Sequence, residues 1–182
     1  GHTNADIIEY AIGRKPSVEM VEKYAKEKEA LYRKRCLVDK VNFKLAPGAA
    51  AFLDFLKENN IPMTIATMSE WDNVEFYIKE FKLAKWFDVD KIVYSNGKIP
   101  GKPAPDIFLI AAGKIGLNPK DCVVFEDAIA GINAAKAAGI GKIIAVDSIE
   151  PIEFYRDIDG LSGIITSFDE VDKSMFEIPS VI

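Results

Sequence analysis

Apolar positions along this chain change texture near residue 45. Before that point they recur three and four residues apart, the spacing of helices. Ile7, Ile8, Ala11 and Ile12 line one side of a helical segment over Asp6–Gly13, which Gly13 and Pro16 end. Ser17 reads as the N-cap of a long helix to about Val38, with Val18, Val21, Ala25, Tyr32 and Cys36 on its apolar side. Glu19 with Lys23, and Glu22 with Lys26, are i,i+4 pairs on its wet side. After residue 45, short apolar runs alternate with helical stretches. Pro47 opens a helix to about Asn59. Pro62–Thr67 reads as a strand, Trp71–Phe81 as a helix, Lys91–Ser95 as a short strand, and a helix behind Pro103-Ala-Pro105 runs to about Ile115. Strands follow at Lys142–Val146 and Gly163–Thr166, and Ser167 starts a short terminal helix. Strands alternating with helices predict an α/β fold, a Rossmann-like parallel sheet with helices on both faces.

One stretch stands out, Asp121–Gly139. Val123, Val124 and Phe125 predict a buried strand, and an alanine-rich helix closed by Gly139 follows. Between them stand two adjacent carboxylates, Glu126 and Asp127. In open α/β sheets, ligands bind at the carboxyl ends of strands. Unpaired, partly desolvated acids are costly there. A hard cation such as Mg²⁺, which takes oxygen ligands, removes that cost.

The bulk numbers narrow the partners. The 182 residues suit one domain or one domain with an appendage. With 49% apolar and 28% charged residues, the chain has a globular balance. A net charge of −5 with no basic tract argues against nucleic acid and anionic membranes as partners. No apolar run approaches a membrane span, and no signal peptide is visible. Cys36 and Cys122 are expected as free thiols, which suits a cytoplasmic protein.

Two further groups fall where strands end or a helix begins. Thr67-Met68-Ser69 follows Ile65-Ala66, and Lys102 lies in Gly101-Lys-Pro-Ala-Pro-Asp106 at a helix mouth. A hydroxyl with nearby backbone N–H groups can bind phosphoryl oxygens, a lysine neutralises their charge, and the acids hold the metal. Together Thr67, Met68, Ser69, Lys102, Glu126 and Asp127 predict a phosphate and Mg²⁺ site.

On those residues the chain resembles the haloacid dehalogenase superfamily, in the branch with a helical cap that includes β-phosphoglucomutase and many small-metabolite phosphatases. Thr67 matches that family's second motif, which binds the transferring phosphate. Lys102 in Lys-Pro-Ala-Pro-Asp matches the third, which stabilises the phosphoryl intermediate. Glu126-Asp127, in Glu-Asp-x-x-x-Gly, matches the magnesium acids of the fourth. The resemblance runs from about Leu45 to Val171. It implies a partial helical cap over residues 1–42 and an α/β core over 43–182 that lacks its first strand.

The family's first motif, a strand ending in Asp-x-Asp-Gly, supplies the nucleophilic and acid/base aspartates. The chain opens on Gly1-His2 without it. The resemblance implies that this motif precedes residue 1 and that its strand fills a gap between those ending at Thr67 and Glu126. Unfilled, that gap leaves unpaired backbone edges, and the chain alone is expected to be inactive. Asp88-Val-Asp90 and Asp157-Ile-Asp159-Gly160 both have the Asp-x-Asp spelling, yet no apolar strand precedes either, so both read as surface acids.

What the resemblance implies is a Mg²⁺-dependent phosphatase acting on a small phosphorylated metabolite through an aspartyl phosphate. Two alternatives stand beside it: a phosphosugar mutase, and a non-catalytic phosphate-binding fragment. Glu70 and Asp72, after the second motif, would repel the second phosphate a mutase holds. Asn4 stands near where the mutase has an arginine. His2, as a general base, is better read as part of a chain-end segment.

Overall fold

The structure is a computed structural model that describes residues 4–147 and 152–176; His2 lies outside them. Its contacts divide the chain into two units, Gly1–Lys44 and Leu45–Ile182.

The first unit is helical. α1 spans Asn4–Ile12 and α2 spans Val18–Val38. Ser17 caps α2 as its position predicts: its hydroxyl accepts from the Met20 N–H at 3.2 Å, satisfying one of the orphan donors of the first turn. The expected apolar side is only partly buried. Cys36 is buried, but Val18 and Tyr32 are exposed, with Leu37 and Val38 beside them. Helical spacing selects a face; it does not supply the surface that covers it.

The second unit carries the sheets. α3 spans Ala49–Glu58, β1 Ala66–Glu70, α4 Trp71–Glu80, β2 Val93–Ser95, α5 Asp106–Lys114 and β3 Val123–Glu126. α6 spans Ile129–Ala137, β4 Lys142–Val146, α7 Ile152–Arg156 and β5 Gly163–Ile165. All pairings are parallel. Among the described residues they form two sheets, β1-β2 and β3-β4-β5, and no ladder joins β1 to β3.

β4 shows why helices cover both faces. Successive strand residues point to opposite sides. Ile143 and Ala145 face one core, with Val93, Ile107, Phe108, Ile132 and Tyr155. Ile144 and Val146 face the other, with Phe52, Leu56, Ile165 and Val171. The first core also receives Ala66, Met68 and Val124, so both sheets back onto it. Phe52, Phe125 and Phe168 meet across the second core at ring separations of 5.2–5.5 Å.

Four expectations need correction. The strand read as Pro62–Thr67 is Ala66–Glu70. Residues before Ala66 have little of a ladder to join; the Val93 N–H reaches back only to the Ile65 carbonyl, at 2.8 Å. β3 is half-buried at all four positions, while β4 is buried at Ile143–Val146. Among the described residues β4 has a ladder neighbour on each side, whereas β3 has one. Cys122, expected from its neighbours to sit in that buried strand, precedes it and is half-buried. Burial, with the nearby Asp121 carboxylate, pushes its thiol pKa up, which keeps it protonated and slow to react. Finally, the segment after Ser167 forms two 3-10 turns, Phe168–Glu170 and Lys173–Met175, rather than a helix. Ser167 does cap the first, in a capping box with Glu170.

Asp54 on α3 ties this helix to the turn before β2. It accepts from the Trp86 indole N–H and pairs with the Lys85 ammonium, each at 2.6 Å. Those bonds, Lys85 first and then Trp86, hold its pKa below the usual carboxylate range. A depressed folded-state pKa gives stability that is present above the unfolded value, about 3.9, and is lost as pH falls through the folded one. The melting-temperature gap between wild type and Asp54→Asn should therefore be open at pH 6 and close in strong acid (about pH 2). A gap that stays constant through acid would show that the charge of Asp54 contributes nothing.

Candidate active site

The first group sits on an irregular strand. In the β1-β2 ladder, Ala66 pairs with Val93 and Glu70 with Ser95, so Thr67, Met68 and Ser69 stand opposite Tyr94 alone. Extra residues in one strand bulge it and re-aim its side chains. Within the bulge the Ser69 N–H donates to Thr67 Oγ1 at 3.1 Å. The hydroxyl thus accepts from backbone and keeps its own O–H as a donor. All three residues are half-buried. Glu70 and Asp72 are exposed at the start of α4, where carboxylates complement the helix dipole.

Lys102 lies in the loop that leads into α5, and Glu126 ends β3. Lys102 Nζ donates to Glu126 Oε2 at 2.6 Å, with the two side chains 14% and 11% exposed. The ammonium also sits 4.8 Å from the centroid of the Phe108 ring, a cation–π contact. Glu126 Oε1 accepts from the Ala128 N–H at 3.3 Å, at the mouth of α6. Both oxygens of Glu126 are therefore engaged. Gly131, the third residue of α6, makes room for this carboxylate: a Cβ there would lie 2.0 Å from Glu126 Cδ.

The structure thus brings Lys102 and Glu126 into contact and sets Asp127 next in the chain, half-buried in the bend before α6. Met68 joins them less closely, its methyl 4.0 Å from where a Gly101 Cβ would be. The hydrogen bond of Thr67 is local. An open cleft of about 230 Å³ runs beside the acids, lined by Ala46, Phe125, Glu126, Asp127, Val146 and Phe168.

The donor chemistry suits Mg²⁺, which takes one or two carboxylates and completes its shell with water and substrate phosphate. Glu126 and Asp127 supply two hard carboxylates. Among the described residues, no group of three or more His, Cys, Asp and Glu side chains is placed to hold a metal. The two Asp-x-Asp spellings stay at the surface. Asp88 caps a 3-10 turn, and Asp88, Asp90, Asp157 and Asp159 are all exposed.

Sequence reasoning missed Phe108, the steric role of Gly131, and Tyr155, whose buried hydroxyl donates to the Asp127 carbonyl at 2.6 Å. Gly131 was visible as the last residue of Glu-Asp-x-x-x-Gly. The other two carry no local signal, since each meets the site across more than five residues of chain.

Residues 4–139 match the family described as haloacid dehalogenase-like hydrolase. The chain belongs to that family. It is 38% identical over 143 residues to a probable pseudouridine-5'-phosphatase of Drosophila melanogaster, covering 76% of this chain and 61% of that protein. It is 35% identical over 142 residues to a bifunctional riboflavin kinase/FMN phosphatase of Arabidopsis thaliana, covering 78% and 34%. The chain therefore spans less than two thirds of either relative. A crystal structure of a HAD hydrolase, family IA, variant 3, from Entamoeba histolytica superposes with a TM-score of 0.86 at 40% identity, over 96% of this chain and 77% of that one. Among the described residues, no helix is long and apolar enough to cross a membrane.

Proposed function

We propose that this chain is the greater part of a Mg²⁺-dependent phosphatase that hydrolyses a small phosphorylated metabolite. One observation carries the reading: a nearly buried Lys102–Glu126 pair, at 2.6 Å, set beside Asp127 at the end of β3. Lys102 presents a positive charge to the phosphoryl oxygens, held in place by Glu126. Thr67 offers a hydroxyl donor from the bulge, held by the Ser69 N–H, and Met68 and the Ser69 hydroxyl complete the phosphate-binding group. Asp127, with Glu126, holds Mg²⁺, which when bound offsets phosphoryl charge. The two relatives described above are named as a probable pseudouridine-5'-phosphatase and a bifunctional riboflavin kinase/FMN phosphatase, which supports this reading.

The nucleophile belongs to an upstream strand ending in Asp-x-Asp-Gly. Its carboxylate attacks phosphorus and expels the alcohol; water then cleaves the aspartyl phosphate and restores the acid. The sheet order supports a place for that strand, because β1 and β3 each have one ladder neighbour among the described residues. On this reading residues 1–42 are part of a helical cap, the remainder is a core completed by the upstream strand, and the protein works in the cytoplasm. Exposed Glu70 and Asp72 disfavour a second phosphate, so a phosphatase is preferred to a mutase.

The test is phosphate release from an aryl phosphate with Mg²⁺. The chain alone should be inactive. A protein extended upstream through Asp-x-Asp-Gly should turn over, and Asp127→Asn should abolish it. Full activity of the isolated chain, or an extended Asp127→Asn protein as active as its parent, would refute the assignment.

A further inference from the structure

Tyr155 is the largest fully buried side chain among the described residues. It lies on α7, outside every motif named above. A buried phenol contributes apolar area, and its hydroxyl needs a partner. That partner is the main-chain carbonyl of Asp127, which accepts the Tyr155 O–H at 2.6 Å. Asp127 and Ala128 form the bend between β3 and α6. The Asp127 carbonyl belongs to no strand ladder or helix, whereas the next carbonyl, that of the α6 N-cap Ala128, already accepts from the Ile132 N–H at 2.9 Å.

The peptide group between Asp127 and Ala128 is planar, so its carbonyl and its N–H point in opposite directions. The Ala128 N–H of this same peptide donates to Glu126 Oε1 at 3.3 Å. Glu126 Oε2 in turn accepts from Lys102 Nζ at 2.6 Å. A continuous chain of hydrogen bonds thus runs from the Tyr155 hydroxyl through one peptide to the Glu126 carboxylate and on to the Lys102 ammonium. Chains of this kind polarise one another in a partly dry interior. Holding the carbonyl also holds ψ of Asp127, and with it the direction in which that carboxylate leaves the backbone.

We propose that Tyr155 is a positioning residue for the site: through the 127–128 peptide it orients Asp127 and steadies the Glu126–Lys102 pair. It touches neither phosphate nor metal. The part concerning Asp127 rests on the reading of that residue as a Mg²⁺ acid.

Tyr155→Phe removes one oxygen and keeps the packing. Two measurements on the 182-residue chain decide the matter: amide hydrogen exchange at Ala128 without metal, and Mg²⁺ affinity by calorimetry. Loss of the hydrogen bond should speed Ala128 exchange and weaken Mg²⁺ binding, each by about tenfold. A stability-matched substitution in the opposite core, Ile165→Val, should change neither. If Tyr155→Phe lowers Tm yet leaves both Ala128 exchange and Mg²⁺ affinity as in Ile165→Val, Tyr155 is only a packing residue and the proposal is overturned. Asp127→Asn separates the two ideas. If it binds Mg²⁺ as wild type does, or if wild type binds none, the metal reading falls and Tyr155 is decided by Ala128 exchange alone.

Discussion

Lys102→Ala should lower the unfolding free energy by about 3 kcal/mol, measured by urea denaturation. Removing one partner of a nearly dry ion pair leaves the other charge buried without compensation, which costs about 3–5 kcal/mol in well-buried cases. Glu126 is only 11% exposed, and one of its two oxygens would lose its cation. The remaining bond, from the Ala128 N–H at 3.3 Å, is too long to replace it. Lys102→Met combined with Glu126→Gln removes both charges together and should recover most of the loss. A single-variant loss under about 1 kcal/mol would place the pair with solvated surface bridges, which contribute little. In the upstream-extended protein, the same substitution should lower kcat by about 10²–10³, the size of effect seen when one group stabilising transition-state charge is lost.

Gly131→Ala should destabilise by about 1–3 kcal/mol, the usual cost of an added methyl in a filled space. The new Cβ would lie 2.0 Å from Glu126 Cδ and 2.3 Å from Oε1. A free glutamate would swing aside, but this one is held by Lys102 at one oxygen and by the Ala128 N–H at the other. Context should reverse the sign. In a Glu126→Ala background the obstacle is gone, and alanine is favoured over glycine within a helix by about 1 kcal/mol. Gly131→Ala should then stabilise. The coupling in this double-mutant cycle measures how firmly Glu126 is held. The same loss in both backgrounds would mean that the clash lies elsewhere.

These two expectations differ in what made them visible. Lys102 and Glu126 could be singled out from sequence, because a lysine among prolines and an acid pair after an apolar run are chemically conspicuous. Their direct contact could not. It closes 24 residues of chain, and only the packing of α5 and β3 on one core brings the two ends together. From sequence Glu126 reads as a metal acid; in the structure it is also the partner of Lys102. Thr67, Met68 and Ser69 read from sequence as a strand-end group, but their bulge opposite Tyr94 is a property of the β1-β2 register. Register depends on two strands at once, so the spacing of one cannot reveal it.

Local chemistry determined a good deal from sequence alone. Ser17 as a cap, Gly139 as a helix stop, and β4 over Lys142–Val146 follow from hydrogen-bonding groups and spacing within a few residues. The α/β class followed from the alternation of such elements. Burial was less legible. Val123, Val124 and Phe125 form an apolar run as continuous as that of β4, yet β3 is half-buried, with one ladder neighbour among the described residues where β4 has two. Sequence determined which residues prefer to leave water and which carry charge. Tertiary structure alone decided which strand is central, that Lys102 meets Glu126, that Gly131 leaves room for that carboxylate, and that Tyr155 reaches the Asp127 carbonyl. The reason is physical: propensity and capping act over about one helical turn, while ion pairing, close packing and buried hydrogen bonds depend on distances in space that the folded chain sets.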